Sequence, residues 1–376
     1  FATALQTVPN DYTGLLLMAK CLLAQKQTGK AQRYALAAQQ AYPEEAQAYH
    51  VCGTVDLQRR RFDEALRDFK RIVDEFKTSG VAEQANFMRG WCLYQMNRDE
   101  EALAVCEAYV EQYPNSEWIP EVMFWIGEYQ YNHGAYDRAE KQLRKLADKY
   151  PENPLADDAL LWAGRSASKQ KEYVRAIEHF GRLAKQYPTS PALAAARFFQ
   201  GDAMTELADF SIAILIFEEI ITMYPTIDLV HSAWIRKGDC QFTLGADDPR
   251  RYEEALKSYR TVTGGGQATW ELVLQAQYKI GRCLEKMGRA KEALEQYYIG
   301  VLDPYMKKAR EGRMDPGAAV WFTRAAFAAA DILEAQENWR AAVQILQRVI
   351  DANAPAAHDA QERINRIRAD HWGLFY

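Results

Sequence analysis

The chain has 376 residues, of which 48% are hydrophobic and 26% are charged, a globular composition that excludes a disordered chain. Its 46 Lys and Arg residues against 51 Asp and Glu give a net charge of −5, which argues against a nucleic-acid partner. The apolar stretches are shorter than the roughly 20 residues of a transmembrane helix, so we expect no direct membrane span.

The short motifs that mark chemical sites are missing from the sequence. Its six histidines include no H-E-x-x-H pair, its six cysteines include no C-x-x-C pair, and its glycines form no phosphate-binding loop. The cysteines lie in helical patterns and are expected to be small buried residues, although an even count leaves disulfide pairing open. We therefore expect no catalytic residues, no metal and no cofactor.

Internal repeats are the strongest signal in the sequence. One spacing, 37 residues, separates successive glycines, alanines and closing prolines: Gly90, Gly127, Gly164, Gly201 and Gly238; Ala102, Ala139, Ala176 and Ala213; Pro114, Pro151, Pro188 and Pro225. Each of these prolines follows a tyrosine, and proline disfavours helix in the residue before it. Between the prolines, apolar residues recur at helical spacing on either side of a polar turn. Each unit is therefore predicted to contain two helices.

In chain order, the array begins inside a repeat. Phe1, Ala4 and Pro9 have the spacing of the Phe, Ala and Pro that end a unit. Residues 1–11 are therefore predicted to be the tail of a truncated upstream repeat. Residues 12–262 are predicted to hold seven repeats.

The C-terminal part departs from the regular period. A Gly-rich connector is predicted over residues 263–273. Two divergent repeats follow over residues 274–355, with a second long connector at 303–316. Residues 356–376 are predicted to be a polar capping helix and tail.

These units resemble the tetratricopeptide repeat, a family with Gly, Ala, Phe and Pro at fixed positions of a two-helix unit. Gly201, Ala213, Phe217 and Pro225 match those four positions. The resemblance implies an all-α, right-handed solenoid of helix-turn-helix repeats. The long period and the closing Tyr-Pro pairs resemble the repeats of bacterial envelope proteins. Examples are the periplasmic coordinator of the Tol-Pal system and the lipoprotein of outer-membrane assembly.

The resemblance also implies a binding face, because one face of each first helix lines the concave groove in this family. Residues at that register are candidates for contact with a partner: Phe87, Trp91, Tyr94, Phe124, Glu128, Tyr131, Arg165, Asp202 and Asp239. The row that contains Phe87 is apolar in nearly every unit, which is also the pattern of packing inside the scaffold. Trp91 must be covered either by a neighbouring helix or by a partner.

We expect a non-catalytic scaffold for protein–protein interaction, which binds peptide or helix segments of other proteins in the groove. Its expected location is periplasmic or outer-membrane-associated. Two alternatives stay open: a structural subunit that stacks onto copies of itself as a homo-oligomer, and a cytoplasmic adaptor.

Overall fold

The computed structural model describes residues 11–312 and 316–375, and within each of two compact units the helices pack mostly against their neighbours along the chain. The chain divides into two compact units, the first ending at Gln170 and the second beginning at Lys171. The helices of the first unit are α1 (Tyr12–Ala24), α2 (Thr28–Ala41), α3 (Ala46–Gln58), α4 (Phe62–Glu75), α5 (Ala82–Gln95), α6 (Asp99–Gln112), α7 (Ile119–Asn132), α8 (Tyr136–Lys149) and α9 (Ala156–Lys169).

The second unit also consists of consecutive helices, and they are less regular in its last third. Its helices are α10 (Tyr173–Gln186), α11 (Leu193–Glu206), α12 (Phe210–Met223), α13 (Val230–Leu244), α14 (Arg250–Gly264), α15 (Trp270–Lys286), α16 (Ala290–Tyr297), a π-helix (Tyr298–Leu302), α17 (Asp303–Arg310), α18 (Pro316–Ala335), α19 (Trp339–Asp351), α20 (Ala357–Asp370) and a 3₁₀ turn (Trp372–Leu374). The predicted all-α fold of helix pairs is confirmed. The predicted tail at residues 1–11 lies, apart from Asp11, outside the described residues.

Backbone hydrogen bonds end most of the first helices in the same way. Asn97, after α5, adopts a positive φ of 56°, which turns the chain out of the helix. The Arg98 N–H then donates to the Leu93 carbonyl at 3.0 Å, and the Asn97 N–H donates to Tyr94 at 3.0 Å. Positive φ recurs at 37-residue intervals after Asn97, at Gly134, Lys171 and Ala208. The turn is therefore set by backbone geometry rather than by one residue type.

The second helices of the regular repeats end at the Tyr-Pro pairs. Tyr113 closes α6 with φ near −124°, and Tyr224 closes α12 with φ near −131°. This departure from helical geometry suits a following proline, because its ring crowds the helical conformation of the residue before it. The pairs thereby fix the length of each unit.

Two predicted connectors contain more helix than the sequence indicates. The Gly-rich segment 263–273 contributes to the end of α14 and the start of α15, which leaves only residues 265–269 between them. The segment 303–316 includes α17, where Tyr305 is 2% exposed and stacks on Phe322 at 4.2 Å. Burial of this ring holds the segment as a helix against α18. A helix also forms where the capping helix is predicted, as α20.

All six cysteines are free, so the structure contains no disulfide pair among them. Cys52, Cys92, Cys240 and Cys283 are buried, as expected of small apolar residues. Cys21 is exposed and Cys106 is only partly buried, so burial of all six was wrong.

Candidate functional site

The first unit exposes aromatic side chains on one face of α5. Phe87, Trp91 and Tyr94 are separated by four and three residues, so they share a face. Trp91 is 47% exposed and Tyr94 is 41% exposed, with their ring centroids 5.8 Å apart. Phe87 is half-buried and stacks on Trp118 at 5.4 Å. Within the described residues, no neighbouring helix covers Trp91.

These rings border an apolar cavity, the aromatic groove, whose volume including the solvent at its mouth is about 540 Å³. It is formed by α5, α6 and α7 and lined chiefly by Phe87, Gly90, Trp91, Val105, Cys106 and Trp125. Almost no polar atoms face it. A cavity of this kind suits an apolar side chain of a partner.

The groove exists because one large side chain of the repeat is missing. In the next repeat, Leu143 lies over Gly127, so closely that a Cβ atom on the glycine would stand 2.5 Å from its Cγ. The equivalent residue opposite Gly90 is Cys106, whose Sγ would be 3.1 Å from such a Cβ. A thiol fills less space than a leucine, so an opening remains between the two helices. Burial raises the pKa of the Cys106 thiol to about 12, which leaves it unreactive as a nucleophile at neutral pH.

A row of rings continues from the groove along α7. Tyr94 meets Trp125 edge to face at 5.6 Å, and Trp125 lies 5.6 Å from Tyr129. The His133 ring stacks on Tyr129 at 3.9 Å. The sequence interpretation missed Trp125 and Tyr129, although Trp125, Tyr129 and His133 recur every four residues, which places them on one side of a helix.

The other predicted residues of the first unit fall into separate places. Phe124 is half-buried and is not part of the groove lining. Glu128 lines a neighbouring cavity of α5 and α7. Tyr131 meets Trp162 edge to face at 4.9 Å, and the Arg165 guanidinium lies 4.2 Å from the Trp162 ring centre and 5.3 Å from that of Tyr131. Tyr131 and Arg165 thus belong to a cation–π cluster within the first unit.

Asp202 and Asp239 belong to the second unit, where both are held by internal ion pairs. Arg236 donates to Asp202 at 2.7 Å, and Lys279 donates to Asp239. The Tyr259 hydroxyl also donates to Asp239, at 2.7 Å. Each carboxylate therefore links the first helix of its own repeat to the first helix of the next.

No three His, Cys, Asp or Glu side chains of residues 11–312 and 316–375 come together as a metal site. None of the helices described here has the length and apolar character needed to span a bilayer.

Family models match three parts of the sequence. Residues 53–117 and 275–298 match models described as tetratricopeptide repeat, and residues 117–228 match the model YfiO, described as an outer membrane lipoprotein. At the level of whole sequences, no curated protein matches the chain.

Solved structures show the same fold at low sequence identity. The C-terminal part of a TPR repeat-containing protein from Cytophaga hutchinsonii is 14% identical, with a TM-score of 0.53 over 69% of this chain and 98% of that one. The apo form of RapI is 12% identical, with a TM-score of 0.52 over 91% of this chain and 97% of that one. Both the sequence matches and the helix pairs lead to one conclusion: the chain is a tetratricopeptide-repeat protein.

Proposed function

We propose that this protein is a non-catalytic scaffold that binds a segment of a partner protein in the aromatic groove of its first unit. The observation that carries the proposal is the exposure of Trp91 and Tyr94 beside an apolar cavity. Tetratricopeptide-repeat proteins are generally non-catalytic scaffolds, which supports this reading.

The chemistry of the groove favours an apolar side chain of the partner. Trp and Tyr are enriched among residues that dominate binding energy, and each contributes about 2 kcal/mol or more when a partner desolvates it. Phe87 is already fixed by stacking on Trp118, so it would lose little conformational entropy on binding.

The match of residues 117–228 to an outer membrane lipoprotein family supports a place at the bacterial envelope. We propose a periplasmic or outer-membrane-associated scaffold. Cell fractionation, combined with protease treatment of spheroplasts, tests this location. Recovery of the protein in the cytoplasmic fraction would favour the cytoplasmic adaptor instead.

Site-specific photocrosslinking tests the groove. A p-benzoylphenylalanine introduced at Tyr94 is expected to crosslink a defined partner in the cells that express the protein. Cys106→Leu should abolish this crosslink because it fills the groove, and Trp91→Ala should weaken it because it removes an anchor. Trp372→Ala, which removes a 68% exposed tryptophan of the second unit, is the matched control and should leave the crosslink unchanged.

Melting temperatures complete this test. The melting temperatures of Trp91→Ala and Trp372→Ala should both stay close to that of the wild type, because neither ring is buried. If Cys106→Leu and Trp91→Ala crosslink the partner as well as the wild type does, the groove is not the binding site.

Self-assembly is a second candidate, supported by an apolar face of α12 in the second unit. Ile212, Leu215 and Met223 share one side of this helix and are 42%, 63% and 67% exposed. Light scattering with size-exclusion chromatography tests it. A homo-oligomer that dissociates in Leu215→Glu would support self-assembly, and a monomeric wild type at high concentration would reject it.

A further inference from the structure

A second cavity adjoins the aromatic groove and differs from it in polarity. With the solvent at its mouth it measures about 940 Å³, and it shares Tyr94 and Trp125 with the groove. We name it the acidic cavity and define it by Tyr94, Asp99, Trp125, Glu128, Tyr129 and His133. The two cavities therefore lie side by side in the first unit, where one bound segment can reach both.

The acidic cavity holds two carboxylates, and His133 is the one basic side chain in its described lining. Within the described part of the chain, its lining contains no Lys or Arg, and neither Asp99 nor Glu128 forms an ion pair. Asp99 Oδ1 is buried without a hydrogen-bond partner. Such a group is costly to leave unpaired, so a donor that reaches it on binding would be favoured.

Two of the three helix ends at the cavity favour a cation, whereas the third, the N-terminal end of α6 at Asp99, does not. Gln95 and Asn132 line the cavity and are the last residues of α5 and α7. The C-terminal end of a helix carries partial negative charge and stabilises a cation within its last turn. Desolvation, followed by the carboxylates of Glu100 and Asp99, raises the pKa of the Tyr129 phenol.

The next repeat shows what such a ring pair holds. Tyr131 and Trp162 follow Tyr94 and Trp125 by 37 residues each, and both pairs meet edge to face, at 4.9 Å and 5.6 Å. Arg165 covers the later pair, with its guanidinium 4.2 Å from the Trp162 ring centre.

The earlier pair lacks this arginine. The residue 37 positions before Arg165 is Glu128, so the chain presents a carboxylate at the register where its next repeat presents a guanidinium. The Tyr94–Trp125 pair thus has the same two rings as the arginine site of the next repeat. Where that site has its own arginine, this one has Glu128, a carboxylate that can pair with an arginine of another protein.

We propose that the acidic cavity binds an arginine side chain of the same partner segment whose apolar side chain occupies the aromatic groove, an inference that rests on the proposed function. Arginine fits better than lysine because its planar guanidinium can stack on a ring and still donate to a carboxylate at its edge. Because the cavities share two residues, the arginine and the apolar residue are close together in the partner sequence.

Fluorine NMR tests the cavity without knowledge of the partner. The protein is labelled with 5-fluorotryptophan, and the Trp125 resonance among its nine tryptophans is assigned from Trp125→Phe. The probe is Nα-acetyl-arginine methylamide, and the matched control is the citrulline analogue, which has the same shape without the charge. We expect a saturable shift of the Trp125 resonance with the arginine probe and at least about tenfold weaker binding of the citrulline probe.

Variants of the cavity separate charge from general surface attraction. Asp99→Asn and Glu128→Gln should each weaken arginine binding by about tenfold, since each removes a charge-assisted hydrogen bond. Glu128→Arg should abolish it, because the new side chain would cover the ring pair as Arg165 covers the later one. Glu111→Gln, an exposed carboxylate of α6 outside the cavity, should leave binding unchanged.

The outcomes are decisive for the cavity. Equal shifts with both probes, or no loss in Asp99→Asn and Glu128→Gln, would overturn the proposal. This result is independent of the groove: Trp91→Ala is expected to keep arginine binding while weakening partner crosslinking. If instead the crosslink survives in Trp91→Ala and Cys106→Leu, the proposed function fails even where the arginine probe binds.

Discussion

A Cβ atom on Gly201 would lie 2.7 Å from Cζ of Phe217, a ring that is fully buried between α11 and α12. The same relationship joins Gly127 to Leu143. In each case the glycine of the first helix gives room to a large side chain of the second helix, 16 residues later. The two helices of a repeat can approach closely only because the first one carries no side chain at this point.

Gly201→Ala should therefore destabilise the second unit. The added methyl group must displace a buried ring, and overpacking of this kind costs about 1–3 kcal/mol. Gly181→Ala is the matched control: Gly181 also lies inside a helix, α10, but nothing stands within 4 Å of its Cβ position. Alanine there should stabilise by about 0.5–1 kcal/mol through helix propensity. Denaturant unfolding measures the stability of both variants. Equal midpoints would contradict the assignment of Gly201 as the point where the two helices approach closely.

The repeat geometry could be predicted because it follows from the spacing of residue types along the sequence. A 37-residue period in Gly, Ala and Pro marks which faces of the helices meet, and the Tyr-Pro pairs mark where the second helices end. The spacing of Phe87, Trp91 and Tyr94 placed these three rings on one face, and the structure brings all three to the groove.

The rest of the site depends on contacts that one helix does not reveal. The groove arises from the small size of Cys106, a residue of the second helix, and its far side is Trp125 of the following repeat. Asp202 and Asp239 are predicted ligand contacts because their register faces the groove in the resembled family. Their cations, Arg236 and Lys279, come from the next repeat, 34 and 40 residues later, where no short-range pattern indicates them.

Filling the groove should stabilise the first unit. In Cys106→Leu the new side chain would occupy the place that Leu143 occupies in the next repeat and bury apolar surface now facing solvent. We expect a gain of about 1 kcal/mol from the added methylene groups. The reverse change, Leu143→Cys, opens an equivalent space and should cost about 2–4 kcal/mol. Urea unfolding measures both, and a loss of stability in Cys106→Leu would mean that the groove cannot accept the larger side chain.

The ion pairs of the second unit should support its fold. Asp239→Ala removes the acceptor of both Lys279 and the buried Tyr259 hydroxyl, and should cost about 1–3 kcal/mol because these donors lose their partner. Glu292→Ala breaks a solvent-exposed pair with Arg289 and should cost much less, because water and salt screen such a pair. Thermal unfolding compares the two. If both variants lost only a similar small amount of stability, Asp239 would remain a candidate for contact with a partner.

Asp68 should give the first unit an unusual dependence on pH. Burial raises the pKa of this carboxyl from 3.8 to about 6, against the opposing effect of its hydrogen bond from Gln39. The folded state therefore holds the proton more tightly than the unfolded state. The free energy of unfolding consequently falls as pH rises from about 4 to about 6, and the loss is complete above that range.

In Asp68→Asn the free energy of unfolding should no longer fall with pH for this reason, because an amide does not ionise. The amide oxygen can still accept the hydrogen bond from Gln39. We expect a gain of about 1–2 kcal/mol at pH 7.5, discounted for partial exposure, and almost none at pH 4. Burial and Lys20 lower the pKa of His50 to about 4. Its effect on the free energy of unfolding has the opposite sign: stability falls as pH falls, because the unfolded state takes up the proton first. The difference between variant and wild type at each pH is therefore the quantity to measure, by urea unfolding. Glu111→Gln, on the exposed side of α6, is the control and should show no such difference. A gain from Asp68→Asn that is the same at both pH values would mean that the carboxyl ionises normally in the folded protein.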